Sequence, residues 1–199
     1  MFPLGSVVFP FTAVPLRVFE TRYQQLLDDV LGGDRTFGSV LIERGSEVGG
    51  GDQRFDVGAL VRVASVKPLP EGNHRLVVVA ATQRIRVERW LDDDPYPVAE
   101  ADIFPDAEEV VPDGLVDEVK AGVRKVLALA SELGADTASI TTTLPDDPLT
   151  ASYQAAALTP VTPLDAHLLL AATGPAARLG LCKDMLDDSA RLLTEQLGQ

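Results

Sequence analysis

Over roughly the first half of the chain the apolar positions recur two apart. In "DVGALVRVASVKPL", Asp56–Leu69, the side chains of Val57, Ala59, Val61, Val63 and Ser65 share one face, with Arg62 and Ala64 on the other. In "QRIRVERWL", Gln83–Leu91, Ile85, Val87 and Arg89 alternate with Arg84, Arg86 and Glu88, which predicts a strand with a wet, arginine-bearing face. Shorter β-branched or aromatic runs predict strands at "LGSVVF" (Leu4–Phe9), "PLRVF" (Pro15–Phe19), "TFGSVLIER" (Thr36–Arg44), "HRLVVVAAT" (His74–Thr82) and "VAEADIF" (Val98–Phe104). The turn "PEGN" (Pro70–Asn73) makes a hairpin of the strands beside it, and the glycine-rich stretch Gly45–Gln53 reads as a surface loop.

One helix interrupts this pattern. In "VPLRVFETRYQQLLDDVLGG", Val14–Gly33, an extended segment becomes helical where Phe19, Glu20, Arg22 and Tyr23 stand together. Phe19 is expected to end the strand as a core anchor. Glu20 or Thr21 starts the helix, where an acid suits the helix dipole. Arg22 is placed to pair with an acid across the barrel mouth, and Tyr23, Leu26, Leu27 and Val30 form the apolar stripe. Gly32 and Gly33 stop the helix. The group reads as a structural corner rather than an active site, built on Pro15, Phe19, Glu20, Arg22 and Tyr23.

After the acidic, proline-bounded segment Pro105–Asp113 the spacing changes to three and four. Val116, Val119, Val123, Val126, Ala130 and Leu133 predict a helix over Gly114–Gly134, with Asp113 as its N-cap and Gly134 closing it. "TTTLPDD" (Thr141–Asp147) is a loop. Three further helices open on a proline at Pro148–Leu158, Pro163–Thr173 and Pro175–Leu197. The expected fold class is α+β: a β-rich part over 1–104, closed or half-closed as a small barrel with one inserted helix, a linker over 105–113, and a bundle of about four helices over 114–199.

Charge narrows the partners. The chain carries −13, with no run of Lys or Arg, which disfavours nucleic acid and anionic membrane surfaces. No window reaches the length of a membrane span, and Pro3, Pro10 and Pro15 break the apolar N-terminus, unlike a signal peptide. A cytoplasmic protein is expected. One Cys and two His exclude an intramolecular disulfide and fall short of a structural zinc set, so neither metal nor cofactor is expected.

Catalytic readings fare no better. Cys182 shares a helix face with Leu179, Met185 and Leu186 and reads as a small core residue rather than a nucleophile for His167. Asp92, Asp93 and Asp94 precede Pro95 as a solvated turn. "GPAARLG", Gly174–Gly180, lacks the spacing and the lysine of a phosphate loop. Trp90 and Tyr96 flank the aspartate turn, where large aromatics either close a barrel end or line a binding groove.

"FPLGSVVFP", then "VPLRVFETRYQQLLDDVL", then "TFGSVLIE" resembles the start of the Lon protease N-terminal domain family. The carriers are Phe2, Pro3, Leu4, Val8, Phe9, Pro10, Pro15, Leu16, Phe19, Glu20, Arg22, Tyr23, Phe37 and Gly38. "VGALVRVASVKPLPEG", Val57–Gly72, and Arg84 extend the resemblance, and the segment from Ala151 to Leu197 is similar to the family's helical tail. The chain departs from the pattern at Ala81 and at Phe11, where the family tends to have glycine, and at Ile85, where it tends to have an aromatic.

The resemblance implies a PUA-like β-barrel followed by a helical bundle, and a non-catalytic module that recognises polypeptide substrates, like the family's stand-alone members. No Walker motif is present. Implied partners are an unfolded or client polypeptide and a separate ATPase or protease. Phe11 on the first loop, with Trp90 and Tyr96, are the candidate client contacts. RNA binding, which PUA-like folds also perform, is the alternative that −13 argues against. The apolar stripe of Gly114–Gly134 could also serve a homodimer.

Overall fold

A computed structural model describes residues 1–45, 47–48, 51–70, 72–135 and 143–198. The expected loop at Gly45–Gln53, the turn at Pro70–Asn73 and the loop at Thr141–Asp147 lie partly outside the described residues. The chain divides into two compact units, Met1–Pro105 and Asp106–Gln199.

The first unit is a curled mixed sheet with one helix. Its strands are β1 (Phe2–Leu4), β2 (Ala13–Val18), β3 (Thr36–Arg44), β4 (Gln53–Pro68), β5 (Arg75–Trp90) and β6 (Ala99–Ile103), with helix α1 (Thr21–Leu31) after β2. They lie in the order β1-β3-β4-β5-β2. β1 runs parallel to β3, and the other pairs are antiparallel. β5 holds β4 along one side; its other side is shared by β2, over Arg75–Ala80, and β6, over Ile85–Trp90. The sheet path ends at β1 and β2 without joining them, so the unit is a half-barrel.

The period-two pattern works as expected as far as Val63: Val57, Ala59, Val61 and Val63 are buried, and Arg62 and Ala64 are exposed, but the register shift between Val63 and Ser65 takes Ser65 off that face and packs Val66 against the core instead. Ala59, Val61 and Val63 pack with Val77, Val79, Leu16, Val18 and the α1 residues Tyr23, Leu26 and Leu27 in one core. Thr36–Arg44 is a strand as read.

Other readings need correction. His74–Thr82 and Gln83–Leu91 are not two strands. They are one, with a register shift where Leu60↔Gln83 is followed by Val61↔Ala81. The residue passed over, Thr82, donates its hydroxyl to the Leu60 carbonyl. Beyond this bulge Arg84 stands opposite buried Ala59 and, although assigned to the wet face, is 2% exposed, while Ile85 and Val87 are buried and Arg86 exposed as read. The Arg84 guanidinium donates to the Pro105 carbonyl at 3.0 Å and lies over the Phe104 ring.

The first strand is Phe2–Leu4 rather than Leu4–Phe9. The Glu47 carboxylate accepts the Gly5 N–H just past the strand, and Val8 and Phe9 are buried outside it. Phe19 is no core anchor: β2 ends at Val18 and Phe19 is 46% exposed. Arg22 pairs with its neighbour Glu20 at 3.2 Å. Glu20 is the N-cap of α1 and makes no side-chain cap bond. Gly32 ends that helix in a right-handed conformation (φ −76), and the positive φ nearby belongs to Arg35.

The second unit holds α2 (Leu115–Glu132), α3 (Pro148–Leu158), α4 (Pro163–Ala171) and α5 (Pro175–Leu197). Gly114, not Asp113, is the N-cap of α2, with φ 81. Gly134, at φ 78, does close it: Gly134 N–H donates to Ser131 O and Ala135 N–H to Ala130 O, the paired bonds of a left-handed glycine cap. Val119, Val123 and Val126 are buried as expected, while Leu133 is 40% exposed. Asp147 and Thr162 cap α3 and α4 with their side chains, each just before a proline.

The acidic stretch after Pro105 is fastened to these helices. Arg178, wholly buried on α5, donates to Leu169 O at 3.0 Å, Ser152 Oγ at 2.8 Å and Asp106 Oδ1 at 2.6 Å. It also stacks over Tyr153, whose hydroxyl donates to the other Asp106 oxygen. Three residues on, Glu109 accepts from the Ala176 and Ala177 N–H groups at the α5 N-terminus and from Thr173 Oγ1.

Candidate functional site

The conspicuous concavity of the first unit, about 320 Å³, lies where the sheet fails to close. β1 contributes Phe2, Pro3 and Leu4. β2 and its exit contribute Pro15, Leu16, Arg17, Val18, Phe19 and Glu20. Tyr23 of α1 and Glu47 and Val48 of the β3–β4 loop complete it.

Each wall has a local cause. Val18 is held in place from behind: Gln24 of α1, itself buried, donates its amide to Val18 O at 2.9 Å and to Asn73 O at 2.5 Å. One polar side chain thereby pins the end of β2 to the β4–β5 turn and fixes where the chain turns into α1. Phe2 stacks on Tyr23 with ring centroids 4.2 Å apart, forming an aromatic floor. Burial pushes the Tyr23 phenol up to about 12, so it stays neutral. The Arg22 guanidinium lies over the other side of that corner, 4.5 Å from the Tyr23 ring centre, and reaches the Glu47 carbonyl at 3.4 Å. The floor is apolar and buried (Phe2, Leu4, Leu16, Val18, Tyr23); the rim carries exposed Phe19 and Val48 beside Arg17, Glu20 and Glu47.

This arrangement suits binding of an apolar, partly extended ligand. Among the described residues no group of three or more His, Cys, Asp or Glu gathers as a metal-holding set. Cys182 is fully buried, and burial pushes its thiol up to about 12, the environment of an inert thiol.

Four of the five corner residues, Pro15, Phe19, Glu20 and Tyr23, line the cleft, and Arg22 stands behind Tyr23. The three aromatics singled out as client contacts lie elsewhere. Phe11 is exposed on a turn with φ 60, its N–H bonded to Ala81 O. Trp90 is nine positions further along β5, roughly 30 Å of strand. It stacks under Arg54 at 4.6 Å. Tyr96 shares the turn beyond Trp90 and donates to Asp29 at 2.8 Å; that carboxylate, then burial, raises its pKa. Trp90 and Tyr96 are thus near one another along the chain, and Phe11 lies beside the middle of β5. The cleft residues Glu47 and Val48 went unnoticed because they sit in a loop without periodicity. Phe2 is visible in the sequence only as a carrier of the family resemblance, and Leu4 also as the start of the strand expected over Leu4–Phe9.

The model of the ATP-dependent protease La (LON) substrate-binding domain matches residues 1–188. The chain belongs to that LON substrate-binding family. Lon protease 2 of Sorangium cellulosum is 33% identical over 142 residues, 68% of this chain and 17% of that protein. Lon protease 2 of Thermus thermophilus is 27% identical over 155 residues, 76% and 19%. The chain therefore spans less than a fifth of the length of these curated relatives.

Among solved structures, a Lon N-terminal domain protein from Xanthomonas campestris superposes with a TM-score of 0.65 at 25% identity, covering 90% of this chain and 92% of that one. The N-terminal domain of Mycobacterium avium complex Lon protease gives 0.64 at 16% identity, a likeness of fold. A LON substrate-binding domain with an α+β fold is thus what the residues build. Among the described residues, no helix is long and apolar enough to cross a membrane.

Proposed function

We propose that this LON-type domain binds segments of client polypeptides in the cleft between β1 and β2, without catalysis of its own, and presents them to an ATPase or protease. The observation that carries the reading is the make-up of the cleft. The motif residues Pro15, Phe19, Glu20 and Tyr23 line an apolar floor that an exposed phenylalanine overhangs. Exposed aromatics beside a concave apolar surface are the common anchors of protein recognition. Phe11, Trp90 and Tyr96 act as secondary contacts for a client long enough to follow the sheet. The acidic balance, −13, sets the domain against nucleic acid and favours neutral or basic clients.

The test is titration of a permanently unfolded, fluorescently labelled protein into this domain. Saturable binding that weakens in Phe19→Ala supports the reading. Absence of any binding, or binding untouched by Phe19→Ala, removes the cleft as the site. Cleavage of a peptide by this chain alone would overturn the non-catalytic reading.

A further inference from the structure

The manner of binding is written into how the cleft is walled. A strand shows alternate residues on each face. The cleft is instead lined by unbroken runs, Phe2–Leu4 from β1 and Pro15–Val18 from β2. A wall of consecutive residues is the edge of a strand, not its face, so the cleft runs along two strand edges at the two ends of the sheet path.

The direction of the β2 main chain follows from one bond. Ala81 N–H donates to Thr12 O at 2.9 Å, so Thr12 faces β5. Antiparallel pairing alternates, so Val14, Leu16 and Val18 face β5 as well, and Ala13, Pro15 and Arg17 direct their main chain away from it. Pro15, which has no N–H, thus occupies a position where the ladder with β5 requires none. Its carbonyl points outward along the cleft side. Lacking the donor, Pro15 also keeps two copies of this edge from zipping together.

We propose that the cleft takes its client as an added β-strand alongside β2, in a proposal that rests on the polypeptide-binding reading above. The ligand class is an extended polypeptide whose apolar and polar residues alternate. Client side chains level with Leu16 and Val18 enter the floor of Phe2, Leu4 and Tyr23; those level with Pro15 and Arg17 face water. Client N–H groups on one side of the strand donate to the β2 edge, the Pro15 carbonyl among its acceptors. Glu20 and Glu47 stand at the mouth with Arg17, and the chain is acidic overall, so the polar positions of the client are neutral or basic.

The experiment is fluorescence anisotropy of the whole domain with a short labelled peptide alternating valine and threonine. The peptide is compared with two versions N-methylated at one or the other set of alternate positions, and with versions carrying Lys or Glu in place of Thr. Strand addition predicts that one N-methyl set weakens binding about tenfold, the worth of one or two backbone hydrogen bonds, while the other set changes it less than about twofold. It also predicts Lys versions that bind more tightly than Glu versions. Equal sensitivity to the two N-methyl sets, or none, overturns strand addition. So does failure of the peptide to bind while the unfolded protein still does, and the polypeptide-binding reading then survives. Failure of both ligands ends both proposals.

Discussion

The guanidinium of Arg178 is wholly buried and lies 2.6 Å from the carboxylate of Asp106, 72 positions earlier in the chain. A buried arginine is costly unless every donor direction is met. Here Leu169 O, Ser152 Oγ and Asp106 meet three of them and Tyr153 covers its face. Removing it takes one donor each from Asp106 Oδ1, Ser152 Oγ and Leu169 O in a buried setting. Arg178→Ala is expected to cost about 3–5 kcal/mol, read as a lower urea midpoint of the helical signal. A loss below about 1 kcal/mol would show that the network contributes no net stability.

Glu109 makes the same fastening sensitive to acid. The Thr173 hydroxyl, then the Ala177 and Ala176 N–H groups, bond its carboxylate and hold its pKa below the ordinary 4.5. A carboxyl depressed in the folded state contributes stability above its unfolded pKa and loses it as pH falls through the folded value. Glu109→Gln should therefore be less stable than the parent at neutral pH, with the difference closing as pH drops below about 4. Other acids held low, such as Asp147, are present in both proteins and cancel in the difference. Denaturation midpoints of the two proteins across that range check it; a gap that does not vary with pH would assign Glu109 a packing role instead.

Much of the fold was legible because its signals are local and repeated. The alternation in β4, the proline-opened helices and the Gly134 cap each follow from a few neighbouring residues. What was not legible depends on distant partners. Arg178 stands in the apolar row of α5, four before Cys182, where a lone arginine could have been noticed; its carboxylate lies in the acidic stretch read as a mere linker. The cleft was half legible. Its walls were read as a corner because strand, helix start and glycine stop explain those residues locally. That β1 and β2 become the unjoined ends of one sheet is a fact of topology, with no trace in spacing.

Arg84 and Arg86 separate the reading by period from the structure. Strict alternation makes them equivalent, both wet. Two apart beyond the register shift, they share a face and both lie over the Phe104 ring, at 4.3 and 3.8 Å, yet Arg84, bonded to the Pro105 carbonyl, is buried and Arg86 is exposed. Arg84→Ala is expected to cost about 2–4 kcal/mol, through the lost bond to Pro105 O and the lost stacking. Arg86→Ala should stay within about 1 kcal/mol. Thermal or urea unfolding of the two variants decides; equal losses would mean that the bond to Pro105 O adds nothing to the stacking over Phe104.

Leu16 and Phe19 border the same cleft three positions apart, with opposite exposure: Leu16 is 9% exposed and packed in the core, Phe19 is 46% exposed. Their truncations should therefore part company. Leu16→Ala removes buried surface and leaves a cavity, at about 2–4 kcal/mol, and any loss of binding follows from a loosened β2. Phe19→Ala removes a ring that folding has left in water, so unfolding should shift by less than about 1 kcal/mol. An anchor of a client, by contrast, typically gives up about 2 kcal/mol of binding when truncated, which is a fall in affinity of roughly thirtyfold. Measuring unfolding and client affinity on the same two variants distinguishes a surface kept for binding from a surface merely left over. If Phe19→Ala weakens folding as much as Leu16→Ala and leaves affinity alone, the corner is structural after all and the client lies elsewhere on the sheet.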